Sequence, residues 1–323
     1  MHLLKYTPSM KNEWDKFVRS SKNGTFLFCR DYMEYHSDRF TDHSYIFTDD
    51  AGKISALFPA SLHGREVRSH GGLTYGGLVM SDRTSAAGPD SPLEMLPALI
   101  NEFSRQGIKK LIYKPVPHIY HRQPAEEDLY AIFRQKGRLA IRNIASAISL
   151  TDPLKSSRLG KRALKRQKAA GITVRPTDNA ADFWQIIVDD RRVRHNVTPV
   201  HNLAEIQLLH DRFPSDILFF IACQNNEVLA GAVIYMANGV MHLQYAAASD
   251  KGKELYAVDV IYHHLIFNIF PESRYFDFGI SNENNGLYLN EGMIRHKEEF
   301  GARSIAYDCY EIDIPPLDTL DTH

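Results

Sequence analysis

The sequence has few cysteines, no long apolar run and almost no net charge. Only three of its 323 residues are cysteines, and none of them has the spacing of metal ligands or of a disulfide framework. No stretch approaches the ~20 apolar residues of a membrane-spanning helix, and the first residues lack the apolar segment of a signal peptide. A formal net charge of −1 excludes a chain built as a whole to coat nucleic acid or anionic lipid. We therefore expect a cytoplasmic protein with reduced thiols and no transmembrane segment.

Two kinds of catalytic pattern are also missing. The sequence has no G-x-S-x-G nucleophile elbow, and Cys29 and Cys309 have no obvious partner histidine. The fifteen histidines are scattered, and the adjacent His263 and His264 would point to different sides of a helix. We therefore expect neither hydrolysis through a covalent nucleophile nor a bound metal ion.

The order of elements indicates two similar halves. A domain holds roughly 100–200 residues, so the chain is long enough for two. Each half reads as a helix around a tryptophan (Trp14, Trp184), antiparallel strands, a helix, a strand, a helix and a last strand. The halves are offset by about 170 residues. This order predicts the α/β (α+β) class with two tandem domains, each a mixed, mostly antiparallel sheet flanked by helices. The expected ranges are 1–150 and 172–323, joined by a basic connecting helix over 151–171.

The connecting segment carries the strongest local charge. Residues 155–168 include seven lysines and arginines and no acidic residue. On a helix these cations fall within an arc of roughly 160°, where like charges repel one another. A phosphate-bearing ligand would offset that repulsion, and a solvated linker helix is the open alternative. The residues predicted to bind the ligand are Arg158, Lys161, Arg162, Lys165 and Arg166.

A glycine-rich stretch interrupts an extended region of the first half. Residues 69–77 include four glycines. Glycine inside a strand often marks a bulge or a ligand that approaches the backbone closely. His70 and Tyr75 are therefore candidate substrate-binding residues. A purely structural bulge is the open alternative.

The matching stretch of the second half, residues 242–249, combines polar and very small side chains. Strand alternation places His242 and Gln244 on one face and Tyr245 on the other. The three alanines at 246–248 leave room for a ligand beside the strand. We therefore take His242 as a candidate catalytic residue and Gln244 and Tyr245 as candidate substrate-binding residues. A structural histidine is the alternative.

The densest group of polar residues follows the strand at 275–278. Asp277 lies in an otherwise apolar strand and therefore needs a partner, and the loop after it is almost wholly polar. Loops at strand ends on a rigid scaffold are frequent sites of function. Asp277 and Lys297 are candidate catalytic residues, and Asn282 and Asn285 are candidate substrate-binding residues. A purely structural Asp–Lys pair is the alternative.

These motifs resemble the closing motif of FemABX-type transferases, which belong to the GNAT acyltransferase superfamily. The basic segment is similar to the Arg/Lys-rich segment between the two halves of those proteins, and residues 69–77 look like the corresponding stretch of CelD-like acetyltransferases. The matching parts, in chain order, are Asp277-Phe-Gly279, Leu289-Asn290-x-Gly292 and Lys297-x-x-Phe300-Gly301.

The resemblance implies a tandem pair of GNAT folds that transfers an acyl group. The donor it implies is acyl-CoA or an aminoacyl-tRNA. The acceptor it implies is a small-molecule amine, such as an amino sugar or a nucleotide- or lipid-linked precursor of the cell envelope. Two departures bear on the donor. The chain has no obvious room for the long helical arm that some members use for tRNA, which favours acyl-CoA. The glycine pattern of the usual pyrophosphate loop is degenerate at residues 249–254.

Acyl transfer to an amine requires a deprotonated amine, a polarised carbonyl and a protonated leaving group. We expect Asp277 or His242 to be the base, directly or through water, and Lys297 to stabilise the oxyanion or a substrate phosphate. Backbone N–H groups near residues 244–247 are expected to meet the carbonyl, where the central strand splays. The alternative function is a non-catalytic binding module for a phosphorylated sugar, a lipid precursor or RNA.

Overall fold

The computed structural model describes residues 1–153, 171–195, 198–269 and 272–317. Contacts divide the chain into two compact units. Unit 1 comprises Met1–Asn143 and Ala306–His323, and unit 2 comprises Ile144–Ile305. This division differs from the predicted ranges 1–150 and 172–323, because the end of the last strand pairs with a strand of unit 1.

Unit 1 is built from short strands and four helices among its described residues. The strands are β1 (His2–Lys5), β2 (Thr41–Asp42), β3 (Tyr45–Thr48), β4 (Ile54–Phe58), β5 (Ser61–His63), β6 (Glu66–Arg68), β7 (Val79–Met80) and β8 (Lys110–Tyr113). The helices are α1 (Lys11–Ser20), α2 (Arg30–Met33), α3 (Pro92–Arg105) and α4 (Glu127–Arg134). The next strand, β9 (Arg138–Ser149), begins in unit 1 and continues into unit 2.

Two groups of strands enclose the core of unit 1. One is an antiparallel sheet in the order β1-β3-β4-β7. In the other group, β2 pairs antiparallel with β5, β5 pairs antiparallel with β6, and β6 pairs parallel with β8. Helix α3 packs against them because its apolar residues recur three and four positions apart. Leu96, Leu99 and Phe103 of that helix lie in one core with Phe47 and Phe58.

Unit 2 contains longer strands and five helices among its described residues. The strands are β10 (Thr173–Thr177), β11 (Ile217–Gln224), β12 (Glu227–Ala237), β13 (Val240–Ala248), β14 (Tyr275–Ile280), β15 (Asn282–Glu283), β16 (Tyr288–Leu289) and β17 (Arg303–Asp313), whose last residues belong to unit 1. The helices are α5 (Trp184–His195), α6 (Leu203–Arg212), α7 (Asp250–Glu254), α8 (Ala257–His264) and α9 (Glu291–Glu299).

The sheet of unit 2 runs in the order β10-β11-β12-β13-β14-β9. Its first four strands are antiparallel, β13 and β14 are parallel, and β14 is antiparallel to β9. Alternation along each strand sends side chains to both faces. Ala232 and Ile234 share a core with Val260 of α8, whereas Phe219 contacts Phe183 on the opposite face. Both faces are therefore covered, which explains why the central strands are almost wholly apolar.

A tight turn joins β12 and β13 at Asn238 and Gly239, whose φ angles of 50° and 77° suit a hairpin. Residues 69–77, by contrast, form a loop between β6 and β7 rather than a strand. In the part of the chain that the structure describes, no helix combines the length and apolarity needed to cross a membrane.

We predict that Gly252→Ala destabilises unit 2 by about 1–3 kcal/mol, because the added methyl group would overpack the contact between α7 and β12. A Cβ at Gly252 would lie 2.1 Å from the backbone oxygen of Leu229, which cannot move away as a flexible side chain could. Urea unfolding measures the change.

The matched control is Gly292→Ala, also near the start of a helix. A Cβ there meets nothing closer than 3.7 Å. This variant should be neutral or gain up to about 1 kcal/mol from the higher helix propensity of alanine. Equal effects of the two substitutions would contradict the packing argument.

Candidate functional site

The ladder between β13 and β14 ends partway along both strands. The two strands pair in parallel from Val240 and Tyr275 to His242 and Asp277. Beyond that pair β13 continues to Ala248 and β14 to Ile280, and the residues of both strands line a cavity of about 860 Å³ within unit 2. The sheet therefore opens at the place where the sequence predicts that the central strand splays.

A β-bulge shapes the β13 side of the gap. The register between β12 and β13 shifts by one residue, which leaves Gln244 without an opposite residue. The amide of Ser249 donates to the carbonyl of Leu229 on β12 at 2.9 Å. Because backbone groups of successive residues point to opposite sides of a strand, the amides of Ala246 and Ala248 point away from β12, towards the gap. Two backbone donors are thus directed to the cavity.

Asp277 links the two strands at the last paired position. Its side chain is fully buried, and its Oδ2 accepts a hydrogen bond from Nδ1 of His242 at 2.8 Å. Its Oδ1 accepts the amide of Gly279 at 2.8 Å, at a β-bulge where Gly279 has a φ of 71°. His242 is 13% exposed, and neither side chain lines the cavity. This geometry favours a positioning role for the pair over direct contact of the carboxylate with a substrate.

Lys297 lies on the cavity wall, in the last turn of α9. Its buried ammonium donates to the carbonyls of Gly279 at 2.8 Å and of Ile280 at 2.9 Å. Burial lowers its pKa to about 8, and the charge of Asp277 acts in the opposite direction. The hydrogen bonds of the lysine are thus made to backbone carbonyls, and the catalytic role of Asp277 and Lys297 stays a prediction.

Three of the candidate substrate-binding residues line the same cavity: Gln244, Tyr245 and Asn282. The hydroxyl of Tyr245 lies 2.8 Å from Nδ1 of His201, and burial raises the pKa of this tyrosine. Asn282 accepts the amide of Ile144 through its side-chain oxygen, so its side chain is held in place. The exposed Asn285 occupies the turn between β15 and β16 with a φ of 52° and does not line the cavity.

The remaining candidates lie elsewhere. His70 and Tyr75 are buried in unit 1. Burial lowers the pKa of His70 to about 3, so it is neutral, and its ring stacks on His36. A Cβ at Gly76 would lie 1.9 Å from the Ser69 carbonyl oxygen, so close packing of the backbone explains this glycine. The role of His70 and Tyr75 in substrate binding stays a prediction.

The five cations of the basic segment lie outside the described residues: Arg158, Lys161, Arg162, Lys165 and Arg166. Their predicted contact with a phosphate-bearing ligand also stays a prediction. Within the described ranges, no group of three or more histidine, cysteine, aspartate or glutamate side chains is placed to hold a metal ion.

A second histidine–aspartate pair lies on the cavity wall and was not predicted. Nε2 of His296 is 3.3 Å from Oδ1 of Asp259. Asp259 belongs to α8 and His296 to α9, and both line the cavity. The only sequence signal for this pair is that His296 immediately precedes Lys297, because the contact itself arises from the packing of two helices.

Comparisons with known proteins identify the fold. No protein-family model and no curated protein sequence matches the chain. Solved structures that match include FemX (TM-score 0.70, 11% identity, 99% of this chain and 98% of that chain) and L-PGS from Bacillus licheniformis (0.62, 12%, 94% and 91%). A tandem GNAT protein from the clavulanic acid biosynthesis pathway also matches (0.51, 11%, 98% and 99%). The chain therefore has a FemX-like tandem GNAT fold, which confirms the predicted fold class and the resemblance at the level of fold.

We predict that the charge of Lys297 makes stability depend on pH above neutrality. Between about pH 8 and its ordinary pKa of 10.5, the unfolded chain still binds the lysine proton that the folded chain has released. The free energy of unfolding of the native chain, relative to Lys297→Met, should therefore rise with pH over this interval. The expected rise is about 3 kcal/mol.

Urea unfolding of both proteins at several pH values measures this difference. The matched control is Lys109→Met, which removes an exposed lysine of unit 1. The difference between this control and the native chain should stay flat. A flat difference for Lys297→Met as well would contradict the inferred burial of the ammonium.

Proposed function

We propose that the chain transfers an acyl group from acyl-CoA to an amine in the cavity of unit 2. The observation that carries this proposal is the gap between β13 and β14, where two backbone amides and a buried ammonium border one cavity of about 860 Å³. A cavity of this size falls within the ~300–1,000 Å³ range of small-molecule sites. The fold of the FemX-like neighbours is consistent with the proposal.

The first requirement of the reaction is stabilisation of negative charge on the acyl oxygen. Attack of an amine on a thioester converts the carbonyl oxygen into an oxyanion, which preorganised N–H donors stabilise. The amides of Ala246 and Ala248 have the required direction because the Ser249 amide is engaged with β12. The alanine side chains leave space for the acyl group beside the strand.

Lys297 supplies positive charge at the other side of the gap. Its two hydrogen bonds to the end of β14 fix the ammonium at the cavity wall instead of leaving it on a mobile side chain. Below its pKa of about 8 it is cationic and stabilises the oxyanion or a phosphate of the substrate. The His242–Asp277 pair holds the strands at the point from which they diverge.

The reaction joins the nitrogen of the acceptor to the acyl carbon and breaks the bond from that carbon to sulfur. The amine loses one proton, and the departing thiolate gains one. We assign this reaction to a reducing cytoplasmic compartment, which suits the three buried cysteines Cys29, Cys223 and Cys309.

The acceptor we propose is an amine on a cell-envelope precursor or an amino sugar, free or linked to a nucleotide or a lipid. An aminoacyl-tRNA is the second candidate donor, because the resemblance to FemABX-type transferases implies it and FemX shares the fold. The tandem GNAT neighbour is described as the form without AcCoA, which is consistent with an acyl-CoA donor. The mixed charge of the cavity, which includes Arg191, Lys253 and Asp190, provides groups for both an anionic donor and an amine.

We predict that acyl-CoA incubated with a panel of amino sugars and amines releases free thiol, and that Lys297→Met lowers this turnover by about 100-fold or more. The reason is loss of the fixed positive charge at the acyl oxygen. Thiol release measured with a colorimetric reagent gives kcat and KM, and circular dichroism checks the fold. Lys109→Met is the control and should keep native turnover.

Asp277→Asn tests the second element of the site. The amide keeps the shape of the side chain but weakens its hold on His242, so we expect kcat to fall with the fold retained. Native turnover in both site variants would discard this site. Ligand binding without release of thiol or deacylation of tRNA would instead favour the binding module. Deacylation of tRNA without release of thiol would identify aminoacyl-tRNA, and not acyl-CoA, as the donor.

A further inference from the structure

The transfer needs a group that takes the proton of the acceptor amine, and the His242–Asp277 pair does not line the cavity. His296 and Asp259 do. The side chain of His296 is 45% exposed and that of Asp259 is 15% exposed, with 3.3 Å between Nε2 and Oδ1. A substrate amine in the cavity can therefore reach His296 directly, while the aspartate is largely screened from solvent.

The positions of the two residues on their helices favour the charged form of the pair. Asp259 lies in the first turn of α8, where the helix dipole favours an anion. His296 lies in the last turn of α9, where the dipole favours a cation. The ring of His296 also packs edge-on against Phe300, with 5.4 Å between the ring centroids. The fold thus holds this imidazole in one orientation.

The contact with Asp259 also selects the tautomer. When Nε2–H donates to the carboxylate, the lone pair of the neutral ring is on Nδ1, the nitrogen that can then accept a proton. The adjacent carboxylate of Asp259 raises the pKa of His296, with burial and Lys297 lowering it and Glu299 raising it. The other charged groups that line the cavity are Glu283 on β15, Asp190 and Arg191 on α5, and Lys253 on α7.

We propose that His296 is the general base of the transfer and that Asp259 is its positioning residue, an inference that rests on the proposed function. Nδ1 of His296 takes a proton from the acceptor nitrogen as that nitrogen bonds to the acyl carbon. The electron pair of the carbon–sulfur bond leaves with sulfur, and the imidazolium returns the proton to the thiolate. The step consumes one amine and one thioester and yields one amide and one thiol.

The test is the pH dependence of thiol release by the native chain and by His296→Gln. A base acts when it is deprotonated, so kcat of the native chain should rise as pH passes through the pKa of His296. In His296→Gln we expect kcat to fall by about 100-fold, this rise to disappear and KM for acyl-CoA to stay unchanged. Added imidazole should restore part of the rate. The control is His118→Gln, which changes an exposed histidine of unit 1 and should keep the native profile.

Asp259→Asn separates positioning from a purely structural role. Removing the carboxylate removes the interaction that raises the pKa of His296, so the rise in kcat should move to lower pH. The loss of kcat should be smaller than in His296→Gln, because the base itself remains. Histidine-labelled NMR follows the same shift without any substrate: the titration of His296 should move to lower pH in Asp259→Asn.

The outcomes distinguish this inference from the proposed function. A native rate and profile in His296→Gln, with the native chain active, would overturn the role of His296 and leave acyl transfer intact. If NMR gives the same pKa for His296 in the native chain and in Asp259→Asn, the positioning role of Asp259 is refuted, whatever the activity. Absence of thiol release by the native chain with every acyl-CoA tested would remove the proposed function, and the base with it.

Discussion

The hydrogen bond between Asp277 and His242 is the interaction on which the site depends. It joins β13 and β14 at their last paired residues, and the same carboxylate accepts the amide of Gly279, from which β14 turns aside. A buried carboxylate without such donors would cost several kcal/mol. Because each carboxylate oxygen of Asp277 accepts a hydrogen bond, the charge is tolerated inside the sheet. The hydrogen bond to His242 thereby fixes the point at which the two strands part. The cavity opens beyond that point, and Lys297 is bound to the carbonyls of Gly279 and Ile280 just past it.

Several charged groups on the cavity wall have defined interaction partners. Lys297 is held by two carbonyls, His296 by Asp259, and Lys253 lies 3.1 Å from Asp250 and 3.5 Å from Asp190. Charges that are already oriented need little reorganisation when a ligand enters, which is the physical basis of electrostatic preorganisation. The helices supply these groups, whereas the sheet supplies the gap itself.

The sequence predicts the parts of the site that follow from local rules. Alternation in β13 and the acidic Asp277 in an otherwise apolar strand drew attention to the strands whose ladder ends at this point, because a strand period of two and the cost of a buried charge act over a few residues. The partner of Asp277 is His242, which no local rule could select over Lys297. Asp259 and His296 escaped prediction for the same reason, since helix packing brings them together. The pairing of β17 with β8 was also missed, because register between distant strands is set by the whole fold.

That distant pairing has a consequence for synthesis. Lys110 on β8 and Glu311 on β17 are joined by a hydrogen bond across 201 positions of sequence. A ribosome delivers the chain from its N-terminus, so residues 144–305 emerge while the first unit still lacks its closing strand. The second unit is continuous in sequence, whereas β8 of the first unit lacks its partner β17 until residues 303–313 have been made. The long loop that has to close before β17 reaches β8 makes this last pairing slow to form.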